Sequence, residues 1–214
     1  MMQHINKIVL VTIFATIALA TGSVYAANGQ EDFDHVNVGQ LPTGWKSGVT
    51  GSGSPHWAVV GDENAFSRPN VLTQSGQGDF PWCVKTNESL ENGFVEVRFK
   101  SISGKEDQAG GIIWRWKDGD NYYIARGNAL ENNVSLYHTE NGKRKTIKYV
   151  DAPVSLNNWH LLRAEFSGKH IRVFLDGKAY IDVEDDHISG PGAVGVWTKA
   201  DSVTSFDDFS FGRK

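Results

Sequence analysis

Residues 161–183 read LLRAEFSGKHIRVFLDGKAYIDV. Leu162, Ala164 and Phe166 alternate with Arg163 and Glu165, the two-residue period of a strand with one buried face. A second strand is predicted over 171–175 and a third over 179–183. Between them Asp176-Gly177-Lys178 supplies the left-handed backbone of a tight hairpin. The same grammar recurs outward from this stretch. Asn141-Gly142 separates strands predicted at 134–138 and 145–150, and Lys117-Asp118-Gly119-Asp120 separates 112–116 from 122–126. Residues 94–100 alternate Val95, Val97 and Phe99 with Glu96, Arg98 and Lys100. Closing strands are predicted at 193–198 and 206–211, and the glycine-rich 48–55, GVTGSGSP, reads as a loop. Beyond residue 26 no segment sustains a helical apolar period, and no repeat or long linker interrupts the chain. Many short strands joined by tight turns predict an all-β, two-sheet antiparallel jelly-roll sandwich, with more strands than an immunoglobulin domain.

The N-terminal end reads as an address. Lys7 precedes an apolar run, 8–20, broken only by Thr12 and Thr16, and Val24-Tyr25-Ala26 offers the small residues a signal peptidase reads. The expected division is a signal peptide, 1–26, and one domain, 27–214. The run is short for a membrane span, and no cysteine directly follows it to carry a lipid. An exported monomer, periplasmic or extracellular and without a span after cleavage, is expected. Cys83 is the only cysteine, which excludes an intramolecular disulfide and a cysteine metal site, and it is expected as a buried core thiol. A formal net charge of -4 with no lysine or arginine block excludes an electrostatic nucleic-acid binder.

Residues 110–133, GGIIWRWKDGDNYYIARGNALENN, point to a ligand class. Trp114, Trp116, Tyr122 and Tyr123 stand among Arg115, Asp120, Asn121, Arg126, Asn128 and Asn132. A sugar ring presents a C–H face for stacking and a hydroxyl rim for amides, carboxylates and guanidinium groups. Period two puts Trp114 and Trp116 on one face and Arg115 on the other. Tyr122, Ile124 and Arg126 then share a face opposite Tyr123 and Ala125. One strand phase turns Arg115 and Tyr123 toward a groove; the other turns Arg126 toward it. The expected carbohydrate-binding residues are Arg115, Asn121, Tyr123, Arg126, Asn128 and Asn132, with Trp197 and Lys199 as a third segment. An asparagine-rich turn of purely structural purpose is the rival reading of the Asn128–Asn133 segment.

Three further stretches carry a resemblance. Trp159-His160-Leu161-Leu162-Arg163, Gly168 and 171–177 resemble the strand–turn–strand unit of concanavalin-A-like and laminin-G-like jelly rolls. Phe33-Asp34 with 41–45, LPTGW, resembles the N-terminal strand and turn of bacterial secreted members. Residues 110–115, 121–126, 197–201 and 206–209 resemble the 3-keto-disaccharide hydrolase-like, family-sixteen-like glycoside hydrolase group. The resemblance spans the mature chain and implies the fold; the fold hosts lectins, hydrolases and adhesion modules alike. The leading expectation is an exported glycan-binding domain; the alternatives are a glycoside hydrolase, or a keto-sugar hydrolase or lyase as the resemblance implies, and an envelope interaction scaffold. The family-sixteen Glu-x-Asp-x-(x)-Glu signature is absent, which leaves Glu96, Asp120 and Glu131 as the candidate catalytic carboxylates. The resemblance also implies a structural calcium ion where first and last strands meet. Asp32, Asp34 and Asp208 would be its ligands, beside Asp207. The seven histidines show no HxH or HExxH spacing, so no histidine metal motif is predicted, and His160 is expected at a strand start.

Overall fold

A computed structural model describes residues 28–213, and the expected signal peptide lies outside them. The strands are β1 (Gly29–Glu31), β2 (Trp45–Ser54), β3 (Trp57–Gly61), β4 (Asn70–Gln74), β5 (Gln77–Leu90), β6 (Gly93–Ser103), β7 (Ala109–Asp118), β8 (Asn121–Asn128), β9 (Asn133–Glu140), β10 (Lys143–Asp151), β11 (His160–Ser167), β12 (His170–Leu175), β13 (Lys178–Glu184), β14 (Gly192–Trp197) and β15 (Val203–Arg213). They build two antiparallel sheets. One runs β13-β12-β11-β6-β15-β4-β3, with β1 added along β15; the other runs β10-β9-β8-β7-β14-β5-β2. Among the described residues no helix is long and apolar enough to cross a membrane.

The main core lies between the sheets. Val95, Val97, Phe99, Leu162, Ala164, Phe166 and Phe206 meet Cys83, Ile112, Trp114, Tyr123, Ala125 and Leu136. Cys83 is fully buried among them, and burial pushes its thiol well above the usual range. The aromatic ring of Phe99 lies against the backbone where Gly110 faces Gly127 across β7 and β8. A Cβ would stand 2.2 Å from that ring at Gly110 and 2.6 Å from it at Gly127, so the two glycines make this close approach of the sheets possible.

Four local expectations change. Residues 48–54 belong to β2, paired with β5, rather than to a loop. The glycines serve a bulge between Thr50 and Gly53, where Gly51 and Gly53 take φ of 83° and 126°. Phe33, expected in the first strand, sits beyond β1 at φ 63° with its ring fully buried. Trp114 and Trp116 do not share a face. Arg115 adopts φ 49°, the β7–β8 register slips between Trp114 and Asp118, and the bulge turns Trp116 to the opposite side. Trp114, not Arg115, faces Tyr123 in the β7–β8 pairing, so the phase that would turn Arg115 and Tyr123 together toward a groove is not adopted.

Candidate glycan-binding face

Alternation along β8 and β9 sorts the hairpin. Tyr123, Ala125, Val134 and Leu136 enter the main core, so Tyr122, Ile124, Arg126, Asn128, Ser135, Tyr137 and Thr139 occupy the outer face of the seven-stranded sheet. That face carries its own apolar layer: Trp82, Val84, Ile113, Tyr122, Ile124, Tyr137 and Trp197, with Phe80 and Trp116 partly exposed at its margin. Phe80 stacks on Trp197 at 6.0 Å and 14°, and Trp82 packs on Trp116 at 5.3 Å. Gly111 leaves room for the Trp197 ring, which a Cβ there would approach to 3.2 Å.

A charged network runs beside this layer. Asp107, on the turn before β7, is fully buried and accepts hydrogen bonds from Arg126 Nη1 at 2.9 Å, Lys199 Nζ at 2.7 Å and Asn128 Nδ2 at 3.1 Å. Arg126 Nη2 donates to Glu131 at 2.7 Å, and Asn133 Nδ2 donates to the same carboxylate at 2.8 Å and to the Tyr149 hydroxyl at 2.9 Å. Ser135 Oγ donates to Asn133 Oδ1 at 2.9 Å. Burial weakens the protonated form of Arg126, but Asp107, Tyr137 and Glu131 outweigh it and raise its pKa. Burial likewise pushes Glu131 up, yet Asn133, Arg126 and Lys199 hold its carboxyl below the usual range. From the edge strand β10, Arg144 lies over Tyr137 at 4.3 Å, Phe80 at 4.7 Å and Trp197 at 5.6 Å. Burial, the largest influence on this guanidinium, lowers its pKa. Arg126 Nε and Arg144 Nη1 are buried N–H groups with no protein acceptor. The indole N–H groups of this face are equally unpartnered, but so are those of Trp45, Trp57 and Trp114 in the core, so they do not single it out.

Of the residues expected from sequence, the structure gathers Arg126, Asn128, Trp197 and Lys199 here, with Glu131. It separates the others. Arg115 donates from Nε to Glu91 O, from Nη1 to Ile188 O and from Nη2 to Gly168 O, pinning three loops at distances of 3.1, 2.9 and 2.6 Å. Tyr123 is a core residue stacked on Trp114 at 5.3 Å, with its hydroxyl on Asp185. Asn121 ties two turns together, donating to Asp118 and accepting from Asn141 N. Asn132 takes φ 52° and accepts from Val154 N and Ala152 N. Glu96 lies on the other sheet, paired with Arg163 at 3.3 Å, and Asp120 is in the β7–β8 turn. Asp107, Phe80, Tyr137 and Arg144 were not singled out in the sequence; each is a lone residue whose neighbours come from distant strands.

The three carboxylates expected to hold calcium do not converge. Asp34 Oδ1 accepts from Asn70 N, and Asp32 Oδ1 accepts from Asp34 N. Asp32 and Asp208 line a cavity of about 580 Å³ on the eight-stranded sheet, together with Glu31 and Glu96. Arg98 enters the same cavity and pairs with Asp208 at 3.5 Å. A cation of this kind takes roughly six to eight oxygens, and a guanidinium among them opposes it. The donor set does not fit a calcium ion. By contrast, His138, Asp185 and His187 do come together, although no sequence spacing announced them.

No family model matches the sequence. The chain is 25% identical over 176 residues to a levanase of Bacillus subtilis (strain 168), covering 81% of this chain and 26% of the levanase. It thus spans about a quarter of that relative. Among solved structures, the carbohydrate binding module CBM66 from Bacillus subtilis superposes with TM-score 0.65 at 23% identity, covering 79% of this chain and 96% of the module. A Bacillus licheniformis beta-glucanase superposes with TM-score 0.54 at 13% identity, covering 88% and 99%. The fold is a concanavalin-A-like jelly-roll sandwich. These likenesses bear out the fold that the strand pattern and the family resemblance implied.

Proposed function

We propose that this chain is an exported carbohydrate-binding domain whose ligand face is the outer side of the seven-stranded sheet. The observation that carries the reading is the Lys199–Asp107–Arg126–Glu131–Asn133 network beside the Phe80–Arg144–Tyr137 stack. Sugar hydroxyls accept from the partly exposed Lys199 and Arg144 side chains and donate to the half-exposed Glu131 carboxylate, while Phe80 and Trp116 offer apolar edges to ring C–H groups. The levanase likeness makes a fructan the first ligand to test.

Binding rather than hydrolysis is the better reading of this face. A glycosidase acid needs a raised pKa, and Glu131 is held in the opposite direction. Glu96 lies on the other sheet and cannot face it across a bound sugar.

Isothermal titration of the mature domain against levan, inulin, mixed-linkage glucan and xylan tests the proposal, with reducing-sugar release assayed in parallel. Saturable binding to at least one glycan is expected. Arg144→Ala and Glu131→Gln, confirmed folded by circular dichroism, should each weaken it about tenfold or more. Undiminished binding by both variants would move the ligand to another surface. Binding to none of a broad glycan array would reject the carbohydrate reading.

A further inference from the structure

At the rim of the sandwich, His138 from β9 and His187 from the segment after β13 stack their rings at 3.9 Å and 19°. Asp185 joins them, its carboxylate accepting from His187 Nδ1 at 2.9 Å. One donor atom from each of the three lies within 4.8 Å of the others. His138 is only 3% exposed, yet both of its ring nitrogens lack a hydrogen-bond partner. A buried imidazole normally satisfies at least one nitrogen, so packing alone leaves this side chain unexplained. The Tyr123 hydroxyl donates to Asp185 Oδ1 and also accepts from Ile188 N at 3.1 Å, holding the carboxylate in place. This is how an outer hydrogen bond orients a metal-ligating carboxylate. His187 is half exposed and gives an ion access from solvent.

We propose that His138, Asp185 and His187 form a binding site for a borderline divalent transition metal, zinc above all. Two imidazoles and one carboxylate are a zinc donor set, with water completing the tetrahedron. Hard cations such as calcium and magnesium prefer oxygen donors and should be rejected. Coordination replaces the proton shared by His187 and Asp185, which leaves to water. The site joins an inner strand of the seven-stranded sheet to the chain leaving the outermost strand of the other. A bound ion would therefore clamp the two sheets at this rim, on the side of β9 opposite Tyr137 and the glycan face.

The test uses the mature domain free of any histidine tag. Zinc at about a hundredfold excess over its dissociation constant should raise Tm by about 5–10 °C, and calcium or magnesium should not. Elemental analysis after gel filtration should find one zinc per chain. Cobalt(II) should develop the visible absorption of a tetrahedral nitrogen–oxygen site and lose it on zinc addition. His187→Ala, a half-exposed position, should keep the fold and lose both signals. His138→Gln should lose them as well. His170→Ala, which removes a separate histidine paired with Asp182 at 2.7 Å, should retain them. No stoichiometric zinc in the parent protein, or zinc bound equally by folded His187→Ala, overturns the proposal.

Discussion

The two sheets of this sandwich share one core but treat their outward faces differently. On the eight-stranded sheet, β11 alternates buried and half-exposed residues along its length. Its outward side chains form a ladder of ion pairs: Arg163 with Glu96 and Glu165, and Arg172 with Glu165 and Asp182. On the seven-stranded sheet, β8 and β9 are buried on both faces. Their outward side chains are aromatic rings and a carboxylate–guanidinium network whose centre, Asp107 and Arg126, is buried. A ladder in solvent contributes little per pair, whereas buried ions cost heavily when a partner is lost. Charge on the first face is ordinary surface. On the second it is concentrated and fixed by burial, which is what selective recognition requires.

The sharpest way to break this contrast is to remove its buried centre. Asp107→Ala leaves Arg126 and Lys199 without their shared carboxylate and should cost about 3–5 kcal/mol in urea unfolding. A loss below about 1 kcal/mol would show that water reaches the network and that the two faces are alike. Next in size is the ligand effect. Arg144→Ala should lower glycan affinity by about 1.5–3 kcal/mol, while Arg172→Ala on the other sheet should leave it unchanged. Undiminished affinity in both variants would place recognition outside either face.

The acid response should separate the sheets by sign. Glu131 has its folded pKa below the usual 4.5, so its contribution is present above that value and is lost as pH falls through the folded pKa. Asp207, on β15, is raised by burial to about 6, against hydrogen bonds from Ser67 and Asp208 N. Its contribution is full below about 3.8 and disappears as pH rises through about 6. Melting curves from pH 3 to 7 should therefore lose an acid-side fall in Glu131→Gln and lose a decline between pH 4 and 6 in Asp207→Asn. Identical profiles for both variants would refute the assignment. The smallest expected effects lie on the outer ladder. Glu96→Gln should change stability by no more than about 1 kcal/mol. Calcium and chelator should leave Tm unchanged, and a calcium-dependent rise abolished by Asp208→Ala would restore a metal to that cavity.

This contrast also explains what could be read from the sequence. β11, β12 and β13 were legible because their outward faces are polar, so period two survives in the letters. The inner strands of the other sheet are apolar or aromatic on both faces, and their phase is invisible without a partner strand. At Arg115 the backbone itself breaks the period, which no alternation rule detects. Half of the expected sugar-binding residues reach the outer face because Arg126, Asn128, Trp197 and Lys199 sit at the same end of their strands. Asp107 and Arg144 carried no local signal, since their meaning lies in neighbours brought by folding. The same holds for His138 and His187, which only the closing of the sandwich brings into contact.

The position of β10 has a consequence for how copies of the chain meet. An open sandwich exposes strand edges, and an unpaired edge is a template for adding foreign strands. β10 borders the seven-stranded sheet, and Lys143, Lys145 and Lys148 are exposed along it. The opposite border, β2, is twisted by its glycine bulge, and β3, which ends the other sheet, is five residues long. β13, at the last border, is offset from β12 by a bulge after Val173. Each border thus carries a device that discourages amyloid-like stacking. Arg144 belongs to this guarded strand yet folds inward over Tyr137, so the strand that repels its own kind also supplies a cation to the recognition face.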